Sequence, residues 1–401
     1  MNVSNRLLTV PASPIRKLVP FATKAKKQGV NIYHLNIGDP DIKSPEVMIN
    51  AFKSWNKNPI AYSGSQGEEN LISSLTWYYH RLGYKFIKQE NIQVTLGGSE
   101  AILITFIAIC DPGDEILVFE PTYPNYLSLA ATANVKLLPV ATTMKTGFHL
   151  PAQGEIEKRI NRKTKGILIC NPNNPTGTVY TKREIDTVVK IAKKHNLFLI
   201  VDEVYREFCY QGKEHISILS YMKYNPDKII LLDSLSKRYS LCGLRLGCLV
   251  TLNNHLADGI LRIAQGRLSA GTVDQYIAAK LTQVPKKYFI DNIKEYQKRR
   301  DMVFNQLLKV EDINVYKPEG AFYMIVGLPV KNSEDFCRWL LTDFHLNHET
   351  VMLAPGAGFY ISKNSGKNEI RIAYVINKEK LKTALKILVE GLKTYKLKVK
   401  S

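Results

Sequence analysis

The chain has 401 residues, 45% of them hydrophobic, which is enough for a large core and more than one domain. No apolar run is long enough to span a membrane; the longest, Ala101 to Cys110, is about half the required length. The formal charge of +19 raises nucleic-acid binding, but the basic residues are spread along the chain in short groups such as Lys298-Arg299-Arg300, without a recognition-helix or zinc-finger pattern. The charge therefore reads as a solvated basic surface, with no nucleic-acid or membrane partner. Six scattered cysteines lack metal-type spacing and read as reduced packing residues, and His345 with His348 lacks a third ligand, so no metal is expected. The N-terminus has no signal-peptide pattern, which makes the cytoplasm the expected compartment.

Residues 1 to 45 read as a proline-punctuated arm containing a helix-like stretch, Ile15 to Gln28, then a strand and a Gly-Asp-Pro turn at Gly38 to Pro40. Pro45 to Lys57 and Glu68 to Leu82 read as helices, with Tyr62 in the small-residue loop between them. A rhythm of strands and helices follows. Ile92 to Leu96 runs into Gly97-Gly98-Ser99 and an apolar helix, Ala101 to Ile109. Glu115 to Phe119 runs into EPTYPNY, and Lys165 to Cys170 into NPNNPTG. The next helix opens on Thr181 with Glu184 three residues on, a capping box. Leu197 to Val201 then runs into Asp202, and Lys228 to Leu232 into DSLSKRYSLCGLRLG. Strands alternating with helices predict an α/β domain with a mostly parallel sheet covered by helices on both faces, spanning residues 46–285. From 286 to 401 a long helix, Lys286 to Val310, precedes short strands and a terminal helix, Lys378 to Leu392. This predicts a smaller α+β domain packed with the N-terminal arm, residues 1–45.

In such sheets ligands sit beyond the carboxyl ends of the strands, and every unusual polar cluster here lies at such an end. Lys237 follows a buried strand and stands with Ser234, Ser236 and Arg245, among close-approach glycines. These groups suit a phosphate beside an amine; a solvated surface lysine is the other reading of that stretch. Further strand-end residues extend the set toward a pyridoxal phosphate site. Asp202 can keep a pyridinium nitrogen protonated. Tyr205 and Asn174 can donate to a phenolate oxygen, and Val204 and Tyr123 can flank the ring. Gly98 and Ser99 open a helix whose N–H groups suit the phosphate. Tyr126 reads as a core aromatic.

The motifs NIGDPD, AYSGSQG, LGGSEA, EPTYPNY, NPNNPTG, DEVYREF, DSLSKRYSLCGLRLG, PEGAFY and EIRIAYV occur in one order. In them the chain resembles the class I/II pyridoxal-phosphate-dependent aminotransferases of fold type I, the aspartate aminotransferase-like group. The resemblance implies transamination between an amino acid and a 2-oxo acid, with Lys237 as the Schiff-base lysine and catalytic residue. It also implies that Arg371 clamps the substrate α-carboxylate, with Asn174 and Gly38 beside it. Further, it implies a homodimer in which Tyr62 reaches the phosphate of the neighbouring subunit's site. Family members that act on dicarboxylates add a second cation. Arg267, about thirty residues after Lys237, falls where some carry an arginine into the partner's site, which favours aspartate or glutamate with 2-oxoglutarate. A β-lyase or carbon–sulfur lyase of the same fold needs the same cofactor residues. A regulator of this fold would carry a DNA-binding domain ahead of it, for which the first forty-odd residues are too short.

Overall fold

The computed structural model describes residues 3–400, with side chains through residue 398. Its central sheet has seven strands: β2 (Ile92–Thr95), β3 (Glu115–Glu120), β4 (Lys136–Ala141), β5 (Thr164–Cys170), β6 (Phe198–Asp202), β7 (Ile229–Ser234) and β8 (Gly247–Thr251). Their spatial order is β2-β8-β7-β6-β5-β3-β4. All pair in parallel except β8, which runs antiparallel to both β2 and β7. β1 (Asn31–His34) precedes this sheet in the chain and belongs elsewhere.

The central strands are apolar on both faces because both are covered. In β7, Ile229 and Leu231 pack with Leu71, Val188 and Ile191 on one side. Ile230 and Leu232 pack with Phe106 and Ile260 on the other. Continuous apolar runs, rather than alternating ones, are what a doubly covered parallel sheet requires. Register fixes where the polar residues emerge: Cys170 pairs with Asp202, and Asp202 with Leu232. The carboxyl ends of β5, β6 and β7 are thus level, and β2 points the same way.

The sequence reading of a mostly parallel sheet agrees with this architecture, and three details differ. β4, where the sequence reading has no strand, lies outermost in the sheet, a position that tolerates Pro139. β8 was absorbed into the glycine-rich motif before it. The helix after β2 begins at Gly97 rather than Ala101, since Gly97 accepts φ +76°. The Thr181–Glu184 capping box forms as expected, ahead of Lys182–Lys194.

β1 pairs in parallel with β11 (Glu349–Met352). A second, antiparallel sheet joins β9 (Asn314–Val315), β10 (Tyr323–Gly327), β12 (Ala354–Pro355) and β13 (Glu369–Ala373) in the order β12-β13-β10-β9. A separate apolar cluster unites Leu18, Ala22 and Leu35 of the arm with Met324, Leu340 and Leu388. Among the described residues no helix is long and apolar enough to cross a membrane. All six cysteines are free.

Candidate active site

The level strand ends frame a partly open cavity. Eleven residues singled out in the sequence line it: Gly98, Ser99, Tyr123, Asn174, Asp202, Val204, Tyr205, Ser234, Ser236, Lys237 and Arg245. They come from four strand ends and one helix start, so the parallel topology itself assembles them.

Lys237 sits in the single helical turn Leu235–Arg238 that closes β7, opened by Ser234, whose Oγ accepts from the Ser236 N–H at 3.2 Å. The turn is anchored from behind. Arg238, fully buried, donates to both Asp233 oxygens at 2.8 and 2.9 Å and pairs with Glu207 at 2.7 Å. The Lys237 amine donates to the Gly38 carbonyl at 2.7 Å and to Cys242 Sγ at 3.4 Å. Burial pulls its pKa down, but Tyr323, the Cys242 thiol and Tyr123 outweigh this and leave it above the ordinary lysine value. In the chain alone the amine is therefore a paired ammonium inside the cavity, not a solvated surface lysine.

Asp202 ends β6 with a carboxylate 8% exposed. Its Oδ2 accepts from Tyr126 at 2.6 Å and its Oδ1 from the Val204 N–H at 3.1 Å. Burial raises its pKa to about 6 in spite of these two donors. Both donors are neutral, so the site has a place for a cation. A protonated pyridine nitrogen supplies one.

Near Lys237 the helix Gly97–Ile109 points its free N–H groups at the cavity, a ready anion site. Arg245, at φ 53°, presses against it so closely that a Cβ on Gly97 would lie 2.8 Å from its Nη2. A Cβ on Gly247 would lie 2.8 Å from the Gly98 nitrogen. Ser234 and Ser236 join through their hydroxyls at 3.0 Å. The hydrogen bond described for Arg245 runs to the neutral Cys242 carbonyl at 3.0 Å. Guanidinium, two hydroxyls and helix N–H groups without an anion are a donor set that fits a phosphate ester.

Arg371, from β13, is buried beside this cavity. It donates to Asn174 Oδ1 at 3.0 Å and the Asn36 carbonyl at 2.6 Å, both neutral, and its Nε has no partner. Tyr323 and Phe359 lie against its guanidinium at 4.4 and 4.9 Å. Burial lowers its pKa. Asn174 also faces Tyr205, whose hydroxyl lies 2.9 Å from that of Tyr323. A buried guanidinium with a spare N–H suits a planar carboxylate.

Four residues named from the sequence do not line the cavity: Gly38 and Arg371 adjoin it through Lys237 and Asn174, whereas Tyr62 and Arg267 stand away from it. The Tyr62 side chain is 82% exposed. Arg267 is held by Glu100 at 3.0 Å and the Val94 carbonyl at 2.8 Å, so its Nε and Nη2 are already committed. Conversely, three residues were missed. Tyr126, read as core, donates to Asp202; its spacing of three from Tyr123 on one helix start was the available signal. Tyr323 lay within PEGAFY without a role, and a Cβ on Gly38 would lie 1.8 Å from its hydroxyl. Cys242, read as packing, contacts the Lys237 amine.

Residues 30–388 match the model of the family described as aminotransferase class I and II, whose members are generally pyridoxal-phosphate-dependent. An aspartate aminotransferase of Thermotoga maritima is 32% identical over 391 residues, 96% of this chain and 97% of that one. A solved alanine aminotransferase from Pyrococcus furiosus superposes with a TM-score of 0.88 at 31% identity, covering 98% of this chain and all of the other. The Thermotoga maritima aspartate aminotransferase structure gives 0.88 at 30% identity with the same coverage. With a family match over most of its length and relatives above 30% identity from end to end, the chain belongs to the class I and II aminotransferases and is an amino-group transferase.

Proposed function

We propose that the chain transfers an amino group between aspartate or glutamate and a 2-oxo acid such as 2-oxoglutarate, with pyridoxal 5′-phosphate held on Lys237. The observation that carries this reading is the opposition of two uncompensated charges in one cavity: a buried carboxylate, Asp202, and a phosphate-shaped cradle around Arg245. Asp202 would hold the ring nitrogen, Tyr205 and Asn174 the phenolate oxygen, and Tyr123 and Val204 the ring faces. Gly98, Ser99, Ser234, Ser236 and Arg245 would hold the phosphate. The dicarboxylate preference rests on the aspartate aminotransferases among the relatives.

Pyridoxal phosphate, when bound, supplies an aldehyde that captures amines and a protonated ring that draws electrons from the substrate's Cα–H bond. The residues do the rest. Arg371 and Asn174 fix the α-carboxylate, which turns the Cα–H bond toward Lys237. Lys237 Nζ, as a free amine, would remove the substrate's Cα proton as a base and, once protonated, return a proton as an acid. Asp202, with the Tyr126 hydroxyl donating to it, would stay ionised and hold the ring nitrogen. The Gly38 carbonyl, which accepts from Lys237 Nζ at 2.7 Å, can hold that nitrogen after it has taken up the proton.

Residues 46–285 form the cofactor-holding domain in this reading, and the arm with residues 286–401 the smaller one. We place the enzyme in the cytoplasm, in keeping with six free thiols. A homodimer is supported by the exposed Ile60, Tyr62 and Leu268, on two loops joined by bonds from Ser63 to Ala270 and from Thr272 to Ala61. Tyr62 would there reach the partner's phosphate. The test is a panel of amino donors and oxo acids on purified, yellow protein, with borohydride fixation of the cofactor followed by peptide mapping. Label on Lys237, and loss of colour and turnover in Lys237→Ala, are expected. Label elsewhere, or an active Lys237→Ala, refutes the assignment.

A further inference from the structure

Arg267 is engaged within its own chain through Nε and Nη2. It caps the helix Asn254–Gly266 and lays its guanidinium along the outside of the turn that opens Gly97–Ile109. Its Nε donates to both oxygens of Glu100, at 3.0 and 3.2 Å, and its Nη2 donates to the Val94 carbonyl at 2.8 Å. Both side chains are mostly buried, 16% and 15% exposed. Glu100 in turn accepts from the Leu96 N–H at 2.6 Å, at the residue where the helix starts. One guanidinium and one carboxylate therefore tie together the end of β2, the helix-opening residue and the first helical turn. Between the tied points lie Gly97, Gly98 and Ser99. On its inner side the same turn rests against Arg245 and Gly247.

Charge gives the clamp a second task. Glu100 directly follows Ser99, so its carboxylate stands within one residue of the N–H groups that face the cavity. Left alone, it would repel a phosphate dianion bound there, and a mostly buried position would leave that repulsion poorly screened. Arg267 cancels it.

The geometry points to Arg267 as a positioning residue of the phosphate site, which through Glu100 holds the Gly97–Ser99 turn in shape and neutralises the carboxylate beside it. This rests on the proposed cofactor reading and replaces the substrate-reading role that the sequence suggested for Arg267. A residue committed to the phosphate end should affect ligands with a phosphate and spare those without one.

The experiment titrates the cofactor-stripped protein with pyridoxal phosphate and with pyridoxal, which lacks the phosphate, following absorbance. Arg267→Ala should weaken pyridoxal phosphate about tenfold or more and leave pyridoxal within about twofold, the loss of one charge-assisted contribution. Glu100→Gln in the Arg267→Ala background should restore part of the loss, because the unpaired carboxylate is gone; a general packing defect would not recover in this way. Arg267→Lys, which keeps the charge but not the fork, should fall between. If Arg267→Ala does not fold, Arg267→Lys and Glu100→Gln carry the same comparison. Equal weakening of both ligands overturns the proposal. So does unchanged pyridoxal phosphate binding with a collapse of the aspartate-to-alanine rate ratio, which would mark Arg267 as the partner's substrate reader. Failure of the wild-type protein to bind pyridoxal phosphate would instead overturn the cofactor reading on which this one stands.

Discussion

Replacing Asp202 with asparagine should make the cofactor-free protein more stable and the enzyme far slower. Burial holds the Asp202 carboxyl at about 6, roughly 2 pH units above an ordinary aspartate, and each unit is worth about 1.4 kcal/mol. Between pH about 4 and 6 the folded chain keeps a proton that the unfolded chain has released, so stability falls as pH rises through this window. Above pH 6 the whole cost, about 3 kcal/mol, is present. Asparagine keeps the shape and an acceptor for the Tyr126 hydroxyl, 2.6 Å away, without the charge. Urea midpoints of the stripped protein at pH 8 and pH 4, compared at equal slope, measure the difference. The expected gain is about 3 kcal/mol at pH 8, shrinking toward zero at pH 4. Turnover should fall by about 10²- to 10³-fold or more, since the ring nitrogen loses its only anionic partner. A variant no more stable than wild type at pH 8 would refute the claim that this carboxylate is held at a cost for a cation.

Arg371→Lys keeps a charge but loses the fork that contacts Asn174 and the Asn36 carbonyl. Removing a buried, hydrogen-bonded contact of this kind costs roughly 2–5 kcal/mol, so kcat/KM should drop about 10²-fold or more for every amino acid tested, whatever its side chain. A loss confined to aspartate and glutamate would show that Arg371 reads the side chain instead. Gly38→Ala would put a Cβ 1.8 Å from the Tyr323 hydroxyl and push that ring away from Tyr205. Overpacking of this kind costs about 1–3 kcal/mol, seen as a lower thermal midpoint, with Tyr323→Phe recovering part of it. An unchanged midpoint would mean that the two elements are not packed as tightly as described.

The sequence made the large-domain side of the site legible and hid much of the rest. Asp202 and Lys237 stood out because charged residues directly after apolar strands are costly unless used, and a parallel sheet brings all such ends to one edge. Tyr126 did not stand out, because a tyrosine on a helix start beside a core reads the same whether its hydroxyl meets solvent or a carboxylate. The Tyr323–Tyr205 contact joins residues 118 apart, one in the second sheet and one in the turn after β6, and no local pattern encodes it. Arg267 was placed by its distance from Lys237 along the chain. Its actual partner, Glu100, lies 167 residues away, and only the packing of the helix Asn254–Gly266 against Gly97–Ile109 brings the two together. β4 contains Pro139, which a strand tolerates only at a sheet edge, and nothing in the local sequence says which strand will be the edge.

The three charged side chains that matter most share one peculiarity. Asp202 contacts only neutral donors, and Arg371 and Arg245 donate to neutral oxygens. Other buried charges in the same chain are treated differently: Arg238 meets Asp233 and Glu207, and Arg206 meets Glu203 at 2.8 Å. The fold is thus able to pair buried charges and leaves two of these, Asp202 and Arg371, without an ionic partner, while Arg245 is exposed at the cavity rim. A buried ion without a counter-ion is among the most expensive features a protein can hold. The groups that would satisfy them are a cation for Asp202 and a carboxylate for Arg371, with an anion at the exposed Arg245. A phosphorylated pyridine aldehyde and an amino acid supply those three charges in one cavity. The electrostatic cost of holding Asp202 and Arg371 buried would then become binding energy, and because the groups are fixed in place, little of it would be lost to reorganisation when the substrate's charges change.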